Sequence, residues 1–365
     1  MNFIYTCFTM LILAFLSVYV ITPFIIKFAN KINFVDNPEA RKVHKKAVPL
    51  MGGLAVFIGF CLLTIYVIIT NLHAFNLALI GYLAGGFFIV IVGLIDDRYG
   101  MNPLVKLLGQ GIACFIFLYT NNLLELLGPI YLTLPILFIW MVGLMNALNF
   151  LDNMDGIITG MSGILAMGFY AFSFISFTSS VATQANFMSL LSLIFAGAVF
   201  GFLPYNFNPA KIFLGDAGSM FIGYFLSTMG ILAGRLAVIR MNNKIFYLLP
   251  LLLLSYAIFD ISLVSITRKR DGRKISQGGK DHSTHRIDNA MRSAKVTALV
   301  VYLINIIIVL TTILVFKMES VKLLIISTVL FALIFVFFGR KLDKIPVVIP
   351  ENQLKKQPEQ KKRDK

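Results

Sequence analysis

The sequence has few acidic residues: 17 Asp and Glu stand against 32 Lys and Arg among 365 residues, and charged residues make up only 13% of the chain. Hydrophobic residues account for 58%, and the mean hydropathy is +0.84. Soluble domains carry about 25% charged residues, so this composition excludes an ordinary soluble domain. The chain is predicted to be a polytopic membrane protein.

Cysteine is also scarce, with only Cys7, Cys61 and Cys114 in the chain. Each lies inside an apolar segment, and their spacing matches neither a disulfide framework nor a zinc site. We therefore expect them to be small packing residues.

Long apolar runs are abundant, and a helix needs about 20 residues to cross a bilayer. The first run lacks a positively charged start and a small-residue cleavage site, so we expect it to be a retained helix. The predicted fold is all-α with about eleven transmembrane helices. The predicted spans are 4–29, 51–70, 76–95, 104–120, 129–149, 158–178, 186–203, 217–239, 245–267, 296–316 and 321–339.

The distribution of basic residues predicts the orientation, because Lys and Arg are retained on the cytoplasmic side. Of the 32 Lys and Arg, the predicted outer side holds only five: Arg235, Arg240, Lys244, Lys317 and Lys322. This bias puts the N-terminus outside and the C-terminus in the cytoplasm. Residues 1–339 are predicted to form one catalytic membrane domain, followed by a basic, disordered cytoplasmic tail at 340–365. The predicted cytoplasmic loops are 30–50, 96–103, 150–157, 204–216 and 268–295.

The net charge of +15 is divided among loops that follow membrane helices. Anionic lipid headgroups explain that arrangement better than nucleic acid, so we expect membrane lipids as partners and no nucleic acid.

Two adjacent aspartates, Asp96 and Asp97, end an apolar segment. Adjacent carboxylates repel, so one must be protonated, paired with a basic group or held near a cation. A simple interfacial cap paired with Arg98 or Lys106 is an equal alternative.

The segment NALNFLDNMDG places Asn149, Asp152 and Asp155 at steps of three, which on a helical turn puts them near one face. Oxygen ligands gathered in this way suit Mg²⁺, which keeps places for substrate phosphates. A helix end rich in Asn and Asp is the alternative. Further on, Asp216 stands in GDAGS at a helix start, where a carboxylate can also serve only as a cap.

The basic loop RKRDGRKISQGGKDHSTHR contains His282 and His285, with Arg286, Lys280 and Arg273 nearby. Cationic and hydrogen-bonding groups of this kind suit a negatively charged diphosphate. A positive-inside anchor remains an alternative for the Lys and Arg. Asp260 lies inside the predicted ninth span, and the pattern gives it no catalytic role.

Five motifs occur in a fixed order over about residues 30 to 290: KKAVPLMGG, GLIDDRYG, NALNFLDNMDG, FNPAKIFLGDAGS and GGKDHSTHR. Together they resemble the polyprenyl-phosphate N-acetylhexosamine-1-phosphate transferases (glycosyltransferase family 4), and most closely the undecaprenyl-phosphate GlcNAc-1-phosphate branch. The resemblance implies transfer of a sugar 1-phosphate from a UDP-N-acetylhexosamine to a polyprenyl phosphate, with release of UMP and a requirement for Mg²⁺ or Mn²⁺. It also implies the first membrane step of a cell-envelope polysaccharide such as lipopolysaccharide or teichoic acid, in the plasma (inner) membrane, with the active site facing the cytoplasm and with a homodimer as one arrangement.

The resemblance also implies roles for residues that match the motifs. The implied metal ligands are Asp216 and Asp152; the implied catalytic residues are Asp96, Asp97, Asp155, His282 and His285; the implied substrate-binding residues are Asn149, Lys46, Phe213, Lys211 and Arg286. Many GlcNAc-1-phosphate transferases read HxHH at the histidine motif, whereas Thr284 replaces the middle histidine here. Thr284 therefore argues against a role that needs three histidines.

Other functions remain open from the sequence. The sugar could be another N-acetylhexosamine, and phospho-N-acetylmuramoyl-pentapeptide transfer is an alternative. A secondary transporter would bind its coupling ions near the bilayer midplane, whereas these aspartates lie at one edge of the predicted spans. A non-catalytic membrane scaffold is a further alternative, which metal-dependent release of UMP would exclude.

Overall fold

The computed structural model describes residues 2–36, 47–70, 77–176, 182–275 and 279–347. Ten of its helices are long and apolar enough to cross a membrane, and one bent pair of helices brings the number of possible spans to eleven. The predicted all-α class is thereby confirmed, and so is the predicted number of spans. The protein is an integral membrane protein.

The helices follow the apolar runs, because inside a bilayer each backbone N–H and C=O must find its partner within the same segment. In chain order they are α1 (Asn2–Lys31), α2 (Gly52–Thr70), α3 (Leu77–Tyr99), α4 (Pro103–Thr120), α5 (Ile130–Leu151), α6 (Ile157–Ile175), α7 (Ala182–Asn206), α8 (Gly215–Met241), a 3₁₀ turn (Lys244–Leu248), α9 (Leu249–Leu253), α10 (Ser255–Arg270), α11 (Ser283–Met291), α12 (Ala294–Lys317) and α13 (Val321–Asp343).

The predicted ninth span, 245–267, is not one straight helix. Its two parts, Lys244–Leu253 and Ser255–Arg270, meet at an angle of 69°. Pro250 stands in the first turn of α9, where the N–H that proline lacks would have no partner within the helix. The break follows one turn later, at Leu254. The second part, α10, leads directly into the basic loop before α11.

Helix α8 lies at the centre of the bundle and packs against α2, α3, α5, α6 and α7. Large aromatic side chains fill its surroundings: the rings of Phe225 and Phe195 stack with centroids 3.7 Å apart, and Phe60 meets Phe225 edge to face at 5.7 Å. Because α8 is surrounded on all sides, its first turn is held in place by several neighbouring helices at once.

Two short strands lie beside the start of α8. Strand β1 (Val35–Asp36) pairs antiparallel with β2 (Val48–Pro49), with Val35 opposite Pro49. The sequence analysis did not predict this small sheet, and the fold class remains all-α.

The last helix, α13, continues to Asp343, so the predicted tail boundary at residue 340 falls within a helix. Residues 348–365 lie outside the described residues, and the predicted disorder of the tail stays a prediction.

Candidate active site

Three helix ends meet at very close range around the start of α8. A Cβ atom on Gly53 of α2 would collide with the backbone N of Gly218, and one on Gly93 of α3 would collide with the Cα of Ala217. Backbone hydrogen bonds support the same approach, since the N–H of Gly53 donates to the Leu214 carbonyl at 2.7 Å. Glycine at these positions therefore brings α2 and α3 against the first turn of α8.

Asp97 holds that first turn. One oxygen of its carboxylate accepts the N–H of Asp216 at 2.8 Å, and the other accepts the N–H of Ala217 at 3.1 Å. Gly215 has a φ of +76°, and a Cβ there would lie 2.7 Å from the Asp97 carboxylate. A carboxylate at a helix N-terminus satisfies free N–H groups and interacts favourably with the helix dipole.

Lys106 of α4 joins the other two aspartates of this region. Its Nζ lies 2.7 Å from Asp96 Oδ2 and 2.6 Å from Asp216 Oδ2. Asp96 also accepts the N–H of Met101 at 2.6 Å. The expected cationic partner of the aspartate pair is therefore Lys106, and it bridges Asp96 to Asp216 rather than to Asp97.

Arg98, the other basic residue considered for the pair, points away from the aspartates. It donates to the Asn33 carbonyl at 2.8 Å and covers the ring of Phe34.

Asn149, near the end of α5, completes the contacts of Asp216. Its amide Nδ2 donates to Asp216 Oδ1 at 2.8 Å and also lies 2.8 Å from Ser219 Oγ. Lys106 Nζ lies 3.5 Å from Asn149 Oδ1, so the amide and the ammonium hold the Asp216 carboxylate side by side.

The predicted shared helical face of Asn149, Asp152 and Asp155 is wrong, because α5 ends at Leu151. Asp152 adopts φ −77° and ψ 53°, and Gly156 with φ +75° begins the next helix. Asp152 still lies close to the cluster: burial, followed by the charges of Asp216, Asp97 and Asp155, raises the pKa of its carboxyl well above the usual range.

Asp155 turns in another direction. Its Oδ2 accepts the Asn208 amide at 2.9 Å and the Ala210 N–H at 3.0 Å, which holds the turn before Phe213 and Asp216. These contacts favour a loop-positioning role over the predicted catalytic role.

His282 and His285 stand at the start of α11, and their ring centroids are 6.1 Å apart. His282 Nδ1 lies 2.8 Å from the Asp260 carboxylate. Nδ1 of His285 is buried without a hydrogen-bond partner among the described residues. Burial, and to a lesser extent the neighbouring His282, lowers the pKa of His285 to about 4, so this ring is neutral near pH 7.

Arg286 is engaged in contacts within the protein. Its guanidinium is buried and donates to the carbonyls of Asp281 at 3.0 Å and Leu342 at 3.1 Å, which ties α11 to the end of α13. These contacts favour a structural role over the predicted substrate-binding role.

Arg273 is also engaged within the protein, at the buried carboxylate of Asp281. Arg268 donates to Asp281 at 2.6 Å and 2.9 Å, and Arg273 donates to it at 2.8 Å. Burial alone would raise the pKa of Asp281, but the two guanidinium groups hold it at about 2. These ion pairs thus join the described residues on the two sides of the basic loop.

The remaining predicted site residues are placed as follows. The Lys211 side chain is exposed, while its N–H donates to the Tyr205 carbonyl at 2.8 Å. Phe213 is half-buried, and its backbone pairs with Pro49 and Gly52. Lys46 lies outside the described residues.

Sequence reasoning gave Asp260 no role, yet it receives three contacts from His282 and Ser283. A charged residue inside an apolar span was the available signal, since such residues are expensive to keep without a partner. Ser219 and Asp281 carried no signal of this kind.

The fit to a divalent cation can be judged from the donor set. Within the ranges that the structure describes, no group of three or more His, Cys, Asp or Glu side chains gathers as a metal centre. Asp96 and Asp216 nevertheless converge on one cation, the Lys106 ammonium, with the Asn149 amide beside them. Two carboxylates suit Mg²⁺, which typically binds one or two carboxylates and completes its shell with water and substrate phosphates.

Comparisons with known proteins agree on one family. The sequence model described as glycosyl transferase family 4 matches residues 79–234. A probable undecaprenyl-phosphate N-acetylglucosaminyl 1-phosphate transferase of Bacillus subtilis is 34% identical over 303 residues, covering 80% of each chain. A decaprenyl-phosphate N-acetylglucosaminephosphotransferase of Mycobacterium tuberculosis is 32% identical over 304 residues, covering 75% of this chain and 74% of the relative. A phospho-N-acetylmuramoyl-pentapeptide-transferase of Prochlorococcus marinus is 31% identical over 293 residues, covering 73% and 78%.

Proposed function

The chain belongs to glycosyl transferase family 4, and from this premise we propose that it transfers N-acetylglucosamine 1-phosphate from UDP-N-acetylglucosamine to undecaprenyl phosphate and releases UMP. The Bacillus subtilis relative, whose name carries this activity, supports both the sugar and the acceptor. The reaction would be the first membrane step of a cell-envelope polysaccharide.

One observation carries the proposal: Asp96 and Asp216, 120 positions apart in the chain, bind the same cationic group at one end of the helix bundle. A site of this kind attracts the phosphates of a nucleotide sugar only when a cation offsets the carboxylates. We propose that this cation is Mg²⁺, for which Mn²⁺ can substitute, with Asp216 and Asp96 as its protein ligands. When bound, the metal neutralises charge on the diphosphate and on the departing UMP.

The transfer itself exchanges one phosphorus–oxygen bond for another. A phosphate oxygen of the lipid acceptor forms a bond to the β-phosphorus of the nucleotide sugar. The bond from the β-phosphorus to the bridging oxygen breaks, and that oxygen leaves with UMP. Catalysis of such a step rests on positioning and charge stabilisation, because little other covalent chemistry is required.

The residues of the chain contribute to this step in different ways. The Lys106 ammonium supplies positive charge next to the phosphates, and Asn149 orients Asp216. Asp97 holds the start of α8, so that Asp216 keeps its place. Burial and the neighbouring carboxylates raise the pKa of Asp152, and we propose that this carboxyl holds or accepts a proton during the transfer. His282 and His285 are proposed to contact the phosphates from the start of α11.

The predicted topology completes the proposal. The clustered aspartates lie at one membrane face, which we propose is the cytoplasmic face of the plasma membrane, where UDP-sugars are made. The N-terminus would then lie outside, and the basic segment after α13 would lie on the cytoplasmic side near anionic headgroups. A catalytic domain of 1–339 and a homodimeric assembly remain proposals.

The proposal is tested with purified protein in detergent, undecaprenyl phosphate, Mg²⁺ and a panel of UDP-sugars. UMP and the lipid product are measured together. We expect turnover with UDP-N-acetylglucosamine, no turnover after Asp216→Asn, and normal turnover after Glu319→Gln. Glu319 is a matched control, because its carboxylate pairs with Arg240 far from the aspartate cluster. Turnover with UDP-N-acetylmuramoyl-pentapeptide alone would replace the sugar assignment, and no turnover with any sugar would overturn the function.

A further inference from the structure

The buried carboxylate of Asp260 receives the first turn of α11. Its Oδ1 accepts the Ser283 N–H at 2.8 Å and the Ser283 hydroxyl at 2.6 Å, while its Oδ2 lies 2.8 Å from His282 Nδ1. Asp260 is 0% exposed. A buried carboxylate is costly unless hydrogen bonds satisfy it. Among the described residues, the three contacts of Asp260 come from two consecutive residues, His282 and Ser283. Its role must therefore concern those residues.

These contacts determine which nitrogen of His282 is available. A carboxylate only accepts hydrogen bonds, so the neutral His282 ring carries its proton on Nδ1 next to Asp260. Nε2 is then the only ring nitrogen that remains for a further partner. No hydrogen bond to this Nε2 occurs among the residues that the structure describes.

His282 also lies beside the aspartate cluster. Its ring meets Phe150 edge to face, with centroids 6.3 Å apart. Two residues further along the chain, in α11, the Thr284 hydroxyl donates to Asn153 at 2.7 Å. Phe150 and Asn153 flank Asp152 in the chain, so the start of α11 is docked against the loop that carries Asp152.

We infer that Asp260 is a positioning residue, which fixes the tautomer and rotation of His282 so that Nε2 faces the phosphates of the nucleotide sugar. Asp260 itself does not touch the substrate. The Tyr256 hydroxyl, 3.0 Å from Ser283 Oγ, supports the arrangement from behind. The inference rests on the proposed function for the identity of the substrate, whereas the tautomer of His282 is a property of the resting protein.

The tautomer is measured by NMR on the full chain in detergent, with ¹⁵N-labelled histidine, at a pH where the ring is neutral. The His282 signals are identified by their loss in His282→Gln. We expect the Nδ1–H form in the wild-type protein. Finding the Nε2–H form in the wild type would overturn the inference.

The variant Asp260→Asn changes the tautomer in a predictable direction. The two Ser283 donors hold the amide oxygen at the position of Oδ1, so the amide Nδ2 faces His282 and donates to Nδ1. The ring is then forced into the Nε2–H form. An unchanged tautomer in a folded Asp260→Asn protein would also contradict the inference.

Measurements of kcat/KM test the inference independently of the tautomer. Asp260→Asn is expected to lower kcat/KM for the nucleotide sugar about 10- to 100-fold, the range typical of residues that orient a functional group. In a His282→Gln background, the same substitution should cost less than about 3-fold, because residues that act through one another are not additive. If the two substitutions lowered kcat/KM by independent factors that multiply in the double variant, Asp260 would act on a group other than His282.

Ser283→Ala serves as the matched control. It removes one hydroxyl contact to Asp260 but leaves the Ser283 N–H and the Asp260–His282 pair in place. We expect the wild-type tautomer, because the Asp260–His282 pair is kept, and a smaller loss of kcat/KM than Asp260→Asn causes, because only one of the three contacts of Asp260 is removed. If the wild type releases no UMP with any UDP-sugar, the proposed function fails, while the tautomer measurements still decide the role of Asp260.

Discussion

The backbone N–H of Asp216 donates to the carboxylate of Asp97 at 2.8 Å, so one conspicuous aspartate holds the helix end that carries another. The second oxygen of Asp97 is bound to the N–H of Ala217 at 3.1 Å. Both oxygens of Asp97 are thus committed to the first turn of α8. Asp96 and Asp97 are adjacent in the chain but have different partners, because Asp96 faces Lys106.

The capping role of Asp97 predicts the effect of Asp97→Asn. The amide keeps one acceptor and loses the other, which should lower the free energy of unfolding by about 1 kcal/mol, as for the loss of a helix cap. Because Asp216 is then held less firmly, the Mg²⁺ concentration for half-maximal UMP release should rise, and kcat should fall about 10-fold. A loss of kcat beyond about 1000-fold with an unchanged Mg²⁺ dependence would instead indicate a direct chemical role.

The position of Lys106 predicts competition between its ammonium and a divalent cation. Lys106→Met leaves Asp96 and Asp216 without their shared cation, so Mg²⁺ should stabilise the variant against thermal unfolding at lower concentrations than the wild type needs. UMP release should nevertheless fall about 100-fold, because positive charge next to the phosphates is lost. Lys322→Met, at an exposed residue near the start of α13, is the control for both measurements. Weaker stabilisation by Mg²⁺ in Lys106→Met would contradict the competition.

Asp155 and Asn208 should behave as one structural pair. Asp155→Asn weakens the contact that holds the turn before Phe213, because a neutral amide oxygen replaces the carboxylate, and Asn208→Ala removes it. We expect each variant to lose about 10-fold in activity or less, and the double variant to lose little more, because the two residues share one interaction. Near-complete inactivation by Asp155→Asn, together with a fully active Asn208→Ala protein, would restore the catalytic role that the sequence suggested.

His285 predicts a loss of stability in mild acid. Its pKa of about 4 in the folded protein lies below the ordinary value of about 6.5, so the unfolded chain binds more protons between these limits. The free energy of unfolding should therefore fall as the pH is lowered from about 6.5 to about 4, by up to a few kcal/mol from this residue. His285→Asn should show a flatter dependence when thermal unfolding is followed against pH.

The contribution of Asp281 to stability changes over a different pH range from that of His285. Its folded pKa of about 2 lies below the ordinary value of about 3.9, so the stability that it contributes is present above about pH 4 and is lost as the pH falls through about 2. A pH dependence of His285→Asn identical to that of the wild type between pH 4 and 6.5 would contradict the assignment to His285.

Much of the architecture could be predicted from the sequence, because each membrane helix is specified by its own segment of the chain. Apolar runs of about 20 residues specify membrane helices by themselves, because the bilayer demands that length. The bend at Leu254 escaped prediction, since hydropathy reports on length and composition and not on direction. The convergence of Asp96, Asp97 and Asp216 followed from their common position at one end of the spans.

The functions of individual side chains in the site were harder to predict, because long-range contacts decide them. Asp155 is bound by a residue 53 positions away, and Arg286 by a carbonyl 56 positions away. No local pattern distinguishes an arginine that binds phosphate from one that caps the end of a distant helix. After α5 ends at Leu151, Asn153 likewise contacts a distant residue, because its side-chain oxygen accepts the Thr284 hydroxyl.

The most direct measurement follows the β-phosphorus of the donor. Purified protein receives undecaprenyl phosphate and UDP-N-acetylglucosamine with separate labels on the β-phosphorus and on the sugar. The account predicts that both labels enter the lipid fraction in equal amounts, with one unlabelled UMP released for each lipid product, and that Asp216→Asn abolishes the transfer. Sugar label in the lipid fraction while the β-phosphorus stays in water as UDP would contradict the account, because the protein would then transfer the sugar alone.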